Sequence, residues 1–87
     1  MGSSEIIAPA NDMQTLANAG GYNTTLNPSP KAFMLGEDKP ITVITAKGNQ
    51  RTIPSGIFNT GTLYPCRIKR FTDQTEVGIH AIVLFYD

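Results

Sequence analysis

The stretch "ITVITAKGNQRTI", residues 41–53, contains two short runs rich in β-branched residues, separated by a polar turn. Gly48 and Asn49 stand where a tight hairpin turn requires positive φ angles, which glycine and asparagine adopt more readily than other residues. The pattern therefore predicts an antiparallel hairpin in which residues 41–46 pair with residues 50–53. Similar runs occur on both sides of the hairpin, so the same reasoning extends along the chain.

Five β-rich runs follow one another from residue 31 onward and are divided by turn residues. They read "AFMLG", "ITVITA", "QRTI", "LYPCRIKRF" and "GIHAIVLFYD". Together they predict an all-β module over residues 31–87, built as a small antiparallel β-sandwich or barrel. Within the connecting loop "PSGIFNTG", the apolar residues Ile57 and Phe58 are expected to close one end of its core.

Residues 1–30 differ in composition, being rich in Asn, Ser, Thr, Gly and Pro with only scattered apolar residues. We expect an extended N-terminal arm outside the β module. The stretch "NDMQTLANAGG" predicts at most one or two helical turns, capped at Asn11 or Asp12 and ended by Gly20 and Gly21. The predicted role of the arm is to dock on a partner protein. Its anchors would be the apolar residues Ile6, Ile7, Met13 and Leu16.

The last run is apolar on both faces. Alternate residues of a strand point to opposite sides, so Ile82, Leu84 and Tyr86 share one face. A small chain has difficulty covering both faces of a strand, and Cys66, the only cysteine, cannot form an intrachain disulfide. Association is then the expected source of stability, and we predict a homo-oligomer. The subunit interface would be the other face, formed by Ile79, Ala81, Val83 and Phe85.

The run "LYPCRIKRF" is predicted to be one strand with a buried and a solvated face. Alternation places Cys66, as a small hydrophobic residue, on the buried face together with Tyr64 and Ile68. Pro65 cannot donate a ladder hydrogen bond, so it indicates a strand start, an edge or a bulge. The cations then lie on the solvated face.

A barrel that binds single-stranded nucleic acid is one alternative to a structural role. Cations flanked by aromatic residues are typical of such barrels, and this run contains Arg67, Lys69 and Arg70 beside Tyr64 and Phe71. Against this, the 7 Lys and Arg residues are balanced by 7 Asp and Glu residues, whereas proteins that neutralise several phosphates usually have a positive net charge. We therefore expect no nucleic-acid partner.

No residue pattern favours enzymatic chemistry, a cofactor or a metal site. His80, the only histidine, stands in an apolar run, where a buried or interface position is expected. The acidic residues Glu37, Asp38, Asp73 and Glu76 fall in predicted turns with a spacing that matches no metal-binding loop. The chain also contains no apolar run of the roughly 18 residues that a membrane span requires, and its first residues do not follow the pattern of a signal peptide. We expect no membrane partner and synthesis in a cytoplasm.

The succession "KAFMLGEDKPITVITAKGNQRTIPSGIFNTGTLYPCRIKRF", closed by "IHAIVLFY", resembles the small spike base proteins of tailed phages and gene transfer agents. The likeness covers about residues 32–86. It comprises an aromatic first strand ending in Gly, a Val- and Thr-rich strand, a Pro-Gly loop, a Gly-Thr turn ending in Pro and a basic strand before the last run. The corresponding residues are Phe33 to Gly36, Pro54 to Gly56, Gly61 to Pro65 and Arg67 to Arg70. The chain departs from the pattern at "FTDQTEVG", where a small-residue turn is usual, and at Phe85, where alanine is common.

The resemblance implies a non-enzymatic structural protein on the capsid surface of a virion, either a spike base or a head decoration protein. Such a protein would be made in the host cytoplasm, assemble as a trimer or pentamer, and anchor a spike or fibre or contact the major capsid protein. A tail module that recognises a host glycan stays open as a further alternative. Glycan sites usually display stacking aromatic residues, and this chain contains no Trp.

Overall fold

Seven strands form two antiparallel sheets over residues 9–87, the part of the chain that the computed structural model describes. The first sheet has the strand order β1-β7-β2-β5 and the second the order β4-β3-β6. This confirms the predicted all-β class and antiparallel sandwich. The elements are β1 (Asp12–Thr15), α1 (Leu16–Ala19), β2 (Ala32–Leu35), β3 (Ile41–Thr45), β4 (Gln50–Ile53), β5 (Leu63–Tyr64), β6 (Ile68–Phe71), a 3-10 turn (Ile79–Ala81) and β7 (Ile82–Tyr86).

The core lies between the two sheets and receives alternate side chains from each. The four-stranded sheet contributes Phe33, Leu35, Ile82 and Leu84, while the three-stranded sheet contributes Ile41, Val43, Ile68 and Phe71. Each of these side chains is at least nine-tenths buried. Burying one such side chain is worth about 1.5–3 kcal/mol, so this shared cluster is what holds the sheets together.

The predicted hairpin is confirmed as the pair β3 and β4. The register joins Ile41 to Ile53 and Ile44 to Gln50. Gly48 has a φ of 89°, as the turn requires. The prediction for Asn49 is wrong, since Asn23 is the only residue other than glycine with a positive φ in the described part of the chain.

The predicted boundary at residue 30 is wrong for the described residues, because the segment before it belongs to the module. β1 pairs with β7 along its whole length, and Leu16 at the start of α1 is completely buried in the core. Thr15, not Asn11 or Asp12, caps the helix by accepting a hydrogen bond from the backbone N–H of Asn18, while Gly20 ends it as predicted.

The rest of this segment is tied to the free edge of β6. The backbone N–H of Asn23 donates to the carbonyl of Phe71 at 2.7 Å, and that of Leu26 donates to the carbonyl of Lys69 at 2.8 Å. Leu26 itself is buried. The segment therefore completes the second sheet at an edge that would otherwise be unpaired.

The run predicted as one basic strand is divided between the two sheets. β5 pairs with β2 in the first sheet, and β6 pairs with β3 in the second. The chain crosses at Pro65, whose missing N–H suits a break in a ladder. Cys66 follows in the crossing and is exposed, so its predicted burial is wrong.

The loop between β4 and β5 closes one end of the core with a single side chain. The ring of Phe58 lies 5.7 Å from that of Phe33 and 4.6 Å from that of Tyr64, measured between centroids. The neighbouring Ile57 is 62% exposed. The prediction is therefore confirmed for Phe58 and wrong for Ile57.

Candidate assembly surface

The outer face of the four-stranded sheet, turned away from the core, is apolar across all four strands. Cross-strand partners in a sheet lie on the same face, so the register identifies its members. Met13, Phe85 and Ala32 form one row, while Thr15, Val83, Met34 and Leu63 form the next. We call these seven residues the outer face. None of them is charged.

Two edges of the outer face are the most open to solvent. Met13 on β1 is 65% exposed and Leu63 on β5 is 36% exposed, whereas Met34, Val83 and Phe85 between them are half-buried. A groove of about 530 Å³ crosses this side of the molecule and is lined by Met13, Leu63 and Phe85 together with residues 10–12. Exposed apolar side chains that are contiguous, rather than scattered, are typical of interaction surfaces.

The structure brings together two of the four predicted interface residues. Val83 and Phe85 lie side by side with strand partners on the outer face. Ile79 and Ala81 lie in the 3-10 turn before β7 and pack against the core cluster, so alternation does not place them on the sheet. His80 in the same turn is exposed, so it is not buried within its own chain, and the predicted interface position stays a prediction.

Four residues of the outer face were not identified from the sequence, namely Thr15, Ala32, Met34 and Leu63. Met34 alternates with the buried residues Phe33 and Leu35, but alternation alone does not say which face of the strand would be covered. Ala32 is itself completely buried, so its exposure gives no sign of the face to which it belongs. Leu63 belongs to the face only because β5 pairs with β2. β5 is two residues long, so its sequence shows no periodicity from which the face could be predicted.

The predicted docking anchors have separate positions. Met13 belongs to the outer face, and Leu16 belongs to the core. Leu16 therefore cannot act as a partner anchor in this fold, because its side chain already packs within its own chain. Ile6 and Ile7 lie outside the described residues.

The cations of the predicted basic strand have separate positions, with Lys69 and Arg70 on β6 of the second sheet and Arg67 before it. Arg67 bonds the carboxylate of Asp87, with 2.8 Å between Nη2 and Oδ2. This hydrogen bond, with the nearby charges of Arg67 and Lys31, lowers the pKa of Asp87 from its ordinary value. Lys69 is exposed on β6. One of the three cations is thus engaged in an internal ion pair.

Residues 9–87 contain no group of three or more His, Cys, Asp or Glu side chains arranged to hold a metal ion. Among the helices of that part of the chain, none has the length and apolar character needed to cross a membrane. Comparison with known proteins finds no matching family model, no matching curated protein and no matching solved structure.

Proposed function

We propose that this chain is a structural protein of a virion, a spike base or head decoration protein of a tailed phage or gene transfer agent, and that it assembles through its outer face. The observation that supports assembly is the outer face itself, which is uncharged and mainly apolar across β1, β7, β2 and β5. The virion part rests on the resemblance of residues 32–86 to the small spike base proteins.

A second copy of the chain is the partner that best fits the outer face. Burying a charged group in an interface carries a large desolvation cost unless the charge is paired. The seven residues of the outer face carry no charge, and the charged residue of the adjoining groove, Asp12, is exposed. Two such faces can therefore be buried against each other with a gain of about 25 cal/mol for each Å² of apolar surface removed from water. Closed homo-oligomers are the commonest assemblies of soluble proteins, and a trimer or pentamer would suit a projection on a capsid.

The oligomeric state tests the assembly part directly. We expect light scattering at micromolar concentration to give a mass above that of one chain. Replacing Met13 and Leu63 together by Lys should give a folded monomer, because both side chains are partly exposed and the added charges would have to be buried on association. The matched control adds the same two charges at Gln50 and Ser55, which are exposed elsewhere, and should stay oligomeric.

Two results would contradict this proposal at different levels. A wild-type chain that is monomeric and well folded would remove the outer face as a self-association surface. The virion part is tested by imaging particles that carry a label on this chain. We expect the label on the head surface, and a position on the tail would favour the glycan-binding alternative instead.

A further inference from the structure

A cavity of about 310 Å³ opens between the two sheets on the side where the first sheet ends in the short strand β5. One wall is aliphatic and comes from the second sheet, through Ile41, Val43 and Ile53. The opposite wall is aromatic and consists of Phe33, Phe58 and Tyr64. The cavity is separate from the outer face, since these side chains belong to the core side of both sheets.

The aromatic wall is held in place by its own contacts. Phe33 and Phe58 meet edge to face, as do Phe58 and Tyr64. The hydroxyl of Tyr64 accepts a hydrogen bond from the backbone N–H of Asn59 at 2.6 Å, which fixes the loop against the ring. The cavity is therefore formed before anything enters it, a property typical of small-molecule sites.

One cation stands among these apolar side chains. Arg51 is the only charged residue that lines the cavity among the residues described. Its cross-strand partner is Val43, so the register places both on the inner face of the second sheet. The Arg51 side chain donates to the carbonyl of Gln50, and no salt bridge within residues 9–87 involves it.

We propose that this cavity binds a small amphipathic carboxylate, with its hydrocarbon body between the two walls and its carboxylate at the Arg51 guanidinium. An apolar cavity offers water few hydrogen bonds, so a hydrocarbon gains free energy by filling it. A guanidinium presents a planar pair of donors that matches the two oxygens of a carboxylate. A medium-chain fatty acid has both features.

A different role for Arg51 would follow from the position of β4 at an edge of its sheet. Inward-pointing charges on edge strands hinder unwanted pairing between sheets of different molecules. That role requires the charge of Arg51 but does not require any ligand in the cavity. The two roles make different predictions: if Arg51 holds the carboxylate, then removing its charge and filling the cavity should both weaken binding of the same ligand.

The experiment uses the full chain and sodium octanoate, followed by NMR at the methyl groups of Val43 and Ile53. Octanol and octylammonium serve as neutral and positively charged probes of the same length. We expect octanoate to shift both methyl groups at the lowest concentration, and salt to weaken octanoate binding while leaving octanol unchanged. Octylammonium should bind most weakly.

Two substitutions test the two parts of the site. Arg51→Gln should weaken octanoate binding by roughly fivefold, the effect of losing one exposed ion pair. Arg70→Gln is the matched control, because Arg70 pairs with Ile44 on the opposite face of the same sheet and its loss changes the net charge equally. Ile53→Phe should block all three probes by filling the cavity, and the remaining NMR signals will show whether the fold is kept.

The proposal is overturned if octanoate shifts neither methyl group below its micelle concentration. It is also overturned if Arg51→Gln and Arg70→Gln affect octanoate equally, a result that assigns Arg51 to edge protection. Shifts of Val43 and Ile53 that depend on protein concentration without any probe would show that a second copy fills the cavity instead.

Discussion

The hydroxyl of Thr75 serves both backbone groups of one buried residue. It accepts a hydrogen bond from the N–H of Thr42 at 3.0 Å and donates one to the carbonyl of Thr42 at 2.9 Å. Thr42 is only 3% exposed, so its N–H has no access to bulk water. This contact fixes the segment between β6 and the 3-10 turn against the middle strand of the second sheet.

Thr75→Val keeps the size of the side chain and removes the hydroxyl. We expect a loss of about 2 kcal/mol in the free energy of unfolding, because a buried N–H without a partner costs about 1–3 kcal/mol. Thr75→Ser keeps the hydroxyl and loses one methyl group, so its cost should be about 0.8 kcal/mol at most. Urea denaturation measures both. If the Val variant is as stable as the wild type, the hydroxyl contributes nothing to the fold.

At the scale of elements, β1 and α1 are as much a part of the sandwich as the predicted strands are. Leu16 packs in the core, and the segment after α1 bonds to β6 through Asn23 and Leu26. Just before β1, the backbone N–H of Asn11 also donates to the carbonyl of Tyr86 at 2.9 Å. The functional boundary of the module therefore lies before residue 12.

Two deletions distinguish this boundary from the predicted one at residue 30. Removing residues 1–10 should leave the fold intact, whereas removing residues 1–28 should abolish the cooperative thermal transition. A point variant gives the same contrast: Leu16→Ala should cost about 2–5 kcal/mol, the usual range for a buried leucine. Asn18→Ala, exposed on the same helix, should change stability by less than about 0.5 kcal/mol.

Circular dichroism and NMR spectra follow these variants. A fragment of residues 29–87 with a native spectrum and a sharp transition would show that β1 and α1 are accessory. That result would support the predicted role of residues 1–30 as a docking arm.

The elements that could be predicted from the sequence are those whose cause is local. The hairpin of β3 and β4 was predicted because a turn glycine and two β-branched runs lie within a few residues of each other. β1 was missed because "DMQT" is mixed in polarity and becomes a strand only by pairing with β7, more than 65 residues away. The outer face was predicted only in part, through Val83 and Phe85. The other strands that complete it could not be predicted, because the order of strands in the sheet decides which residues become neighbours.

At the scale of the whole molecule, two carboxylates connect distant parts of the chain, the partly buried Glu37 and the exposed Asp87. Glu37 accepts a hydrogen bond from the N–H of Gly78 at 2.9 Å and lies 3.4 Å from Lys39. The Gly78 hydrogen bond, followed by the charge of Lys39, lowers the pKa of Glu37 from its ordinary value of 4.5. The pKa of Asp87 is also lowered, chiefly by its hydrogen bond with Arg67.

Stability should therefore fall as the solution is acidified. A carboxyl whose pKa is lower in the folded state stabilises the fold at pH values above its unfolded pKa, and this contribution is lost as the pH falls through the folded pKa. We expect the thermal midpoint to decrease below about pH 4.5, the ordinary pKa of Glu37. The decrease should be modest and smaller in high salt, since both groups are accessible to solvent and their charges are screened.

Glu37→Gln should reduce this dependence, because the amide oxygen can still accept from Gly78 but does not titrate. The matched control is Glu76→Gln, which removes one exposed carboxylate without touching the Gly78 contact. A Glu37→Gln variant with the same acid dependence as the wild type would show that the Gly78 contact does not couple to the folding equilibrium.

The pairing of β1 with β7 has a mechanical consequence. Asn11 and Asp87 lie at the same end of two neighbouring antiparallel strands, since the N–H of Asn11 bonds the carbonyl of Tyr86. A pulling force between these residues acts along the hydrogen bonds of the ladder, which run perpendicular to the strands. The bonds would then break one after another, as in a zipper, instead of sharing the load as they do when strands are sheared lengthwise. A force applied between these two strand ends therefore meets little mechanical resistance from this ladder.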